Sequence, residues 1–189
     1  MITALLVYLA CGLAAGILAG LLGVGGGLVI VPMLVFIFPT QGVPAAHVQI
    51  MALGTSLASI TITSISSFRA HDKRGAVRWD IWRAITPGIL IGTFGGGFLA
   101  KALPTTFLTG FFIFFVYYVS IQMFLDFKPK AGRHLPGICG MSGAGGVIGV
   151  VSSLVGIGGG SLSVPFMTYC NVPMHTAVGT SAAIGFPIA

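Results

Sequence analysis

Two glycine runs, each interrupting an apolar stretch, carry the residues of this chain best suited to chemistry. Residues 23–32 read G-V-G-G-G-L-V-I-V-P and residues 156–165 read G-I-G-G-G-S-L-S-V-P. The identities are Gly23/Gly156, Gly25/Gly158, Gly26/Gly159, Gly27/Gly160, Val31/Val164 and Pro32/Pro165, all 133 positions apart. Backbone that leaves the helix inside a membrane exposes N–H and C=O groups that hydrocarbon cannot satisfy. It is tolerated only where protein buries it or water reaches it. Paired glycine-broken apolar segments therefore point to a transport site. The residues after each GGG can open a half-helix whose free N–H groups face the break, with the positive end of the dipole behind them. That is an anion site needing no buried cation. Gly25, Gly26, Gly27, Gly158, Gly159 and Gly160 would form its backbone. Ser161 and Ser163 add hydroxyls in the second copy, where Leu28 and Ile30 stand in the first, so the two copies are not equivalent. Tight helix packing is the simpler explanation of the glycines. Two copies, each followed by V-P, favour a site.

A second repeated element is G-T-S, at Gly54-Thr55-Ser56 and Gly179-Thr180-Ser181. Its hydroxyls can bond an oxyanion, a partner backbone, or the preceding helical turn. Pairing with the GGG runs brings Thr55, Ser56, Thr180 and Ser181 into the candidate site. His47 and His175 recur at the start of the helix after each broken segment. A proton relay is one role for them, and a surface histidine is the commoner one. Asp80 reads as a first-turn charge on its helix, and Asp126 as a surface partner of Lys128 and Lys130. With no glutamate and three aspartates, no nucleophile–base–acid set can be assembled. A third glycine is missing for GxGxxG, and there is no Walker lysine. Cys11, Cys139 and Cys170 lack metal-ligand spacing. No catalytic residue, metal or cofactor is expected.

The elements that must hold these residues are membrane spans. The chain is 56% hydrophobic and 6% charged, with mean hydropathy +1.04, against about 25% charged residues in soluble domains. A span needs about 20 apolar residues. The first apolar run, 3–38, is broken at 23–27. Spans follow over 45–68, 81–100 and 106–126, then a second broken element over 137–170, and a sixth from 173 to 189. Small residues at four-residue spacing, Gly12/Gly16/Gly20, Gly88/Gly92/Gly96 and Gly145/Gly149, read as helix-packing stripes. The Phe-rich run from 107 to 124 is expected to face lipid.

Eight of the nine basic residues flank 69–83 or lie in 128–133, and Lys101 alone falls on the other side. The positive-inside rule then places both basic loops in the cytoplasm. This accounts for the net charge of +6 through lipid headgroups, without nucleic acid. Each broken element is either one discontinuous span or a full helix followed by a re-entrant leg. Taking both to cross an odd number of times makes the repeat parallel and the N-terminus cytoplasmic. The division is 1–126 as a first four-span repeat, 127–136 as a basic cytoplasmic loop and 137–189 as the start of a second repeat. A four-span unit beginning at 137 is expected to continue past 189, so the chain reads as a fragment.

The doubled G-x-G-G-G…V-P, with A-V-G-T-S at 177–181, A-L-G-T-S at 52–56 and R-G-A-V-R-W at 74–79, resembles the sulfite exporter TauE/SafE family over essentially the whole chain. The resemblance implies two four-span halves and a plasma-membrane permease for sulfur-containing oxyanions such as sulfite or organosulfonates. The expected fold is thus an all-α polytopic transmembrane bundle of two repeated halves, each opening with a glycine-broken helix, the second incomplete. The expected function is secondary transport, rocking one repeat against the other. The expected partners are a small anion, membrane lipids and a second copy of the chain in a homo-oligomer. The alternative is a non-transporting membrane subunit or assembly partner.

Overall fold

The computed structural model describes residues 8–17, 26–125 and 135–189. Gly20, Gly23, Gly25, Asp126, Lys128, Lys130 and Arg133 lie outside these segments. All regular structure among the described residues is helical: α1 (Tyr8–Ile17), α2 (Gly27–Thr40), α3 (Ala45–Asp72), α4 (Trp79–Ala102), α5 (Thr105–Phe124), α6 (Ile138–Val155), α7 (Gly160–Tyr169) and α8 (Met174–Ile188). Three helices in these segments, α3, α5 and α6, are long and apolar enough to cross a membrane. The expected spans fall on the observed helices, and α4 occupies the third. Proline sets three of the starts. Pro44, Pro104 and Pro173 precede α3, α5 and α8 with φ of −58°, −66° and −55° and extended ψ, because the ring fixes φ and disfavours helix in the residue before it.

The α4–α6 pair is the tightest in the bundle. A Cβ on Gly88 would strike the Ser142 backbone, one on Gly92 would strike the Gly146 carbonyl, and one on Gly96 would lie 3.0 Å from Val150 Cα. Partner numbers rise together, so α4 and α6 run parallel. From the other side, a Cβ on Gly149 would lie 2.6 Å from the Ile89 carbonyl. The two stripes read as packing surfaces in the sequence therefore pack on each other. Gly12 and Gly16 meet no atom within 4 Å among the described residues. Helix α5 turns Phe107, Phe114, Tyr117 and Phe124 outwards but buries Leu108, Phe112, Phe115 and Val119. Only one side of the aromatic run fits the lipid-facing expectation.

Helix directions overturn the parallel repeat. Gly179 packs on Ala76, Thr180 accepts from the Arg78 amide at 3.0 Å, and Trp82 Nε1 donates to the Ala183 carbonyl at 3.1 Å. A Cβ on Gly185 would lie 3.3 Å from Ser64 Cβ. Helix α8 thus starts at the basic 69–83 end, runs parallel to α4 and runs antiparallel to α3. Its counterpart α3 starts at the opposite end, where Thr105 Oγ1 donates to the Ala46 carbonyl at 2.6 Å. The repeat is inverted. Helix α6 leaves the basic end and α7 returns towards it, so the broken element begins and ends on one side rather than crossing an odd number of times. The reversal is local: Gly156 and Gly159 have φ of 73° and 74°, a left-handed conformation that costs other residues about 1–2 kcal/mol. Tyr8 Oη donates to Gln41 Oε1 at 2.9 Å, which puts the start of α1 at the end opposite the basic link. The expectation of a first helix starting on the basic side therefore fails. His47 lies at the far end and His175 at the basic end, and both are exposed. Cys170 sits buried near the basic end.

Two apolar clusters flank the break. One gathers Val31, Leu53, Phe112, Val155 and Ile157 from α2, α3, α5, α6 and the break, and the other gathers Ile85, Met141, Met167, Ile184 and Ile188 from α4, α6, α7 and α8. Residues 156–159 lie on the seam between them.

Candidate functional site

The second break is a four-residue reversal. Helix α6 ends at Val155, Gly156 is its left-handed C-cap, Ile157 and Gly158 follow, and Gly159 is the left-handed N-cap of α7. It lies level with the middle of α3. A Cβ on Gly156 would lie 2.9 Å from a Leu53 methyl, and one on Gly158 would lie 3.1 Å from an Ile60 methyl.

The first break meets it there. Gly27, the first residue of α2, approaches so closely that a Cβ would collide with the Gly156 carbonyl and lie 2.9 Å from Ile157 Cα. Helix α2 runs from this point to the far end, and α7 runs from it to the basic end. The N-termini of two half-helices therefore converge inside the bundle. Neither has a side-chain cap. In α2 the Val29 and Ile30 amides bond the Gly26 carbonyl, and in α7 the Leu162 and Ser163 amides bond the Gly159 carbonyl. That leaves the Gly27 and Leu28 amides, and the Gly160 and Ser161 amides, without a hydrogen-bond partner among the described residues. Such groups normally find a side chain, water or ligand. Two positive dipole ends favour an anion as that ligand. Lys101, the only described cation away from the basic end, lies in the last turn of α4, so no described cation sits at the break.

The hydroxyls divide into two groups. Ser56 Oγ donates to the Gly156 carbonyl at 2.7 Å. Ser163 Oγ donates to the Gly159 carbonyl at 2.9 Å and lies 2.8 Å from Ser181 Oγ. A hydroxyl has one proton, so with Ser163 donating to Gly159, Ser181 donates to Ser163. Ser56 and Ser163 thus hold the carbonyls of the two left-handed glycines, and Ser181 orients Ser163. Ser161 and Ser152 are different: both hydroxyl oxygens are buried with no hydrogen-bond partner among the described residues. A Cβ on Gly159 would lie 3.6 Å from Ser152 Oγ, which places that hydroxyl beside the α7 N-terminus. The Ile188 side chain covers Gly159 closely.

The structure thus gathers Gly26, Gly27, Gly158, Gly159, Gly160 and Ser161 at the break, with Ser56 and Ser181 supporting it. Gly25 lies outside the described residues. Thr55 is exposed on the outside of α3, and Thr180 holds the link before α4. Ser152 is the residue the sequence reading missed. Its counterpart one repeat earlier is Ala19, so a search for repeated residues passes over it. The usable signal was a hydroxyl one helical turn before a glycine break. Buried Gln49, whose Nε2 also lacks a partner among the described residues, lies two turns from Ser56 towards the far end.

The model of the family described as "Sulfite exporter TauE/SafE" matches residues 8–189. The chain belongs to the sulfite exporter TauE/SafE family. A TauE/SafE-family chain is a membrane transport protein, and the names of its relatives agree. A probable membrane transporter protein of Haemophilus influenzae is 39% identical over 187 residues, covering 98% of this chain and 70% of the relative. One from Methanocaldococcus jannaschii is 32% identical, covering 92% and 65%. YunE of Bacillus subtilis, also named a probable membrane transporter protein, is 30% identical, covering 93% and 71%. The chain thus spans about two thirds of the length of these relatives. No solved structure gives a significant match.

Proposed function

We propose that this TauE/SafE-family chain forms the core of a secondary transporter that moves small sulfur-containing oxyanions, sulfite or organosulfonates, across the prokaryotic plasma membrane. The observation that carries the reading is the convergence of the α2 and α7 N-termini at Gly27 and Gly156–Ser161. Their amides, unpartnered among the described residues, and the Ser152 and Ser161 hydroxyls supply donors without a described cation beside them. Dipoles and hydroxyls bind a small oxyanion by donors that can be exchanged for water, whereas a buried lysine would hold it as an ion pair. A carrier has to release what it binds, and the neutral site suits that need.

The inverted halves supply the movement, one rocking against the other around the break so that it opens to each side in turn. With the basic link in the cytoplasm, α2 leads from the site to the outside and α7 to the inside. Residues 1–126 are then the first half and 137–189 the start of the second, joined by the basic segment 127–136.

The substrate class is tested by flux into proteoliposomes of the purified protein, with sulfite, sulfoacetate, sulfate and chloride compared in parallel. Sulfite or sulfoacetate should move well ahead of chloride. Equal rates for all four, or chloride moving fastest, would contradict a sulfur-oxyanion carrier.

A further inference from the structure

The ends of α3 and α8 and the start of α4 line an open cavity of about 350 Å³ at the basic end, walled by Ile65, Phe68, Arg69, Trp79, Trp82 and Phe186. It is separate from the break. Its aromatic wall is ordered: Phe68 stands edge-on to Trp79 with centroids 6.2 Å apart, and Trp79 edge-on to Trp82 at 5.6 Å. Trp82 Nε1 bonds the Ala183 carbonyl, which ties the wall to α8. Trp79 and Phe186 are exposed at the rim.

The charges around this cavity are unbalanced. Of the two described acids, Asp80 pairs with Arg78 and Asp72 accepts from Trp79 Nε1 at 2.9 Å. Arg69, in the last turn of α3, has no ion-pair or hydrogen-bond partner for its guanidinium among the described residues. Lys73, Arg74 and Arg83 are exposed nearby. We infer that this cavity is a binding site for an anionic phospholipid, its phosphate on Arg69 and its glycerol and upper acyl chain against the aromatic wall. A free inorganic anion fits poorly, because the wall is apolar and one guanidinium cannot replace its hydration shell. An amphiphile satisfies both parts, and basic pockets between helices at the cytoplasmic face take such headgroups. Indoles at this depth suit the membrane interface.

Trp79 and Trp82 are the only tryptophans of the chain, so its fluorescence reads the cavity directly. The protein is reconstituted in vesicles containing brominated phosphatidylglycerol or brominated phosphatidylcholine, and quenching is followed against mole fraction. Phosphatidylglycerol should quench at a roughly five-fold lower mole fraction, the advantage expected of one basic contact at the surface. Arg69→Gln should bring the ratio near one, and Arg69→Lys should keep most of it. The emission maximum in unbrominated lipid confirms that each variant keeps its fold. Equal quenching by both lipids in the parent protein would show nonselective lipid contact and overturn the proposal. So would no quenching by either, which would mean that protein fills the cavity.

Discussion

Ser56 of α3 donates a hydrogen bond to the Gly156 carbonyl, 100 positions further along the chain, at 2.7 Å. The first half thereby holds the left-handed residue that turns the second half back on itself. Ser181, the counterpart of Ser56 in the second half, donates to Ser163, and the residue matching Ser163 in the first half is Ile30.

Removing this contact should loosen the break without emptying the core. Ser56→Ala leaves the buried Gly156 carbonyl short of a donor, and a cost of about 1 kcal/mol is expected. Thermal unfolding in detergent should show a lower midpoint for Ser56→Ala and a smaller change for Thr55→Ala on the exposed face. Equal effects would contradict the assigned difference.

The reversal itself depends on glycine. Gly156→Ala should cost about 1–2 kcal/mol from the left-handed backbone alone. Gly159→Ala adds a collision with Ile188. Ile188→Ala should recover part of the Gly159→Ala loss in a stability assay and none of the Gly156→Ala loss. Recovery in both would point to crowding rather than backbone conformation.

The α4–α6 interface should tolerate no side chain. Gly92→Leu or Gly149→Leu forces apart backbones already in contact, so well-folded protein should fall sharply in size-exclusion chromatography. Gly95→Leu and Gly97→Leu, at positions that meet no atom within 4 Å among the described residues, should behave like the parent.

Inversion of the halves predicts a labelling pattern. Single cysteines in place of Arg74 and His175 should react with an impermeant maleimide from one side of the membrane, and those in place of Gln41 and Lys101 from the other. A His175 cysteine labelled together with Gln41 would restore the parallel arrangement.

Much of this was legible in the residues. The GGG runs mark where α2 and α7 begin, and the Gly88 and Gly145 stripes mark the faces that pack. Helix direction was not legible. Basic residues report which side a loop occupies, but nothing in G-I-G-G-G distinguishes a chain that carries on from one that turns back. That choice lies in φ at Gly156 and Gly159. Nor could G-T-S be read as one unit. Neighbouring helical residues point about 100° apart, so Thr55 faces out while Ser56 faces the break. In the second copy α8 has other neighbours, and Thr180 meets the link before α4.

The most direct test of the transport site is sulfite flux through the parent protein and through Gly26→Leu and Gly159→Leu, each shown to keep the labelling pattern above. Loss of flux in both variants, with the pattern intact, is the predicted result. Full flux in both would contradict a substrate site where the two half-helices meet.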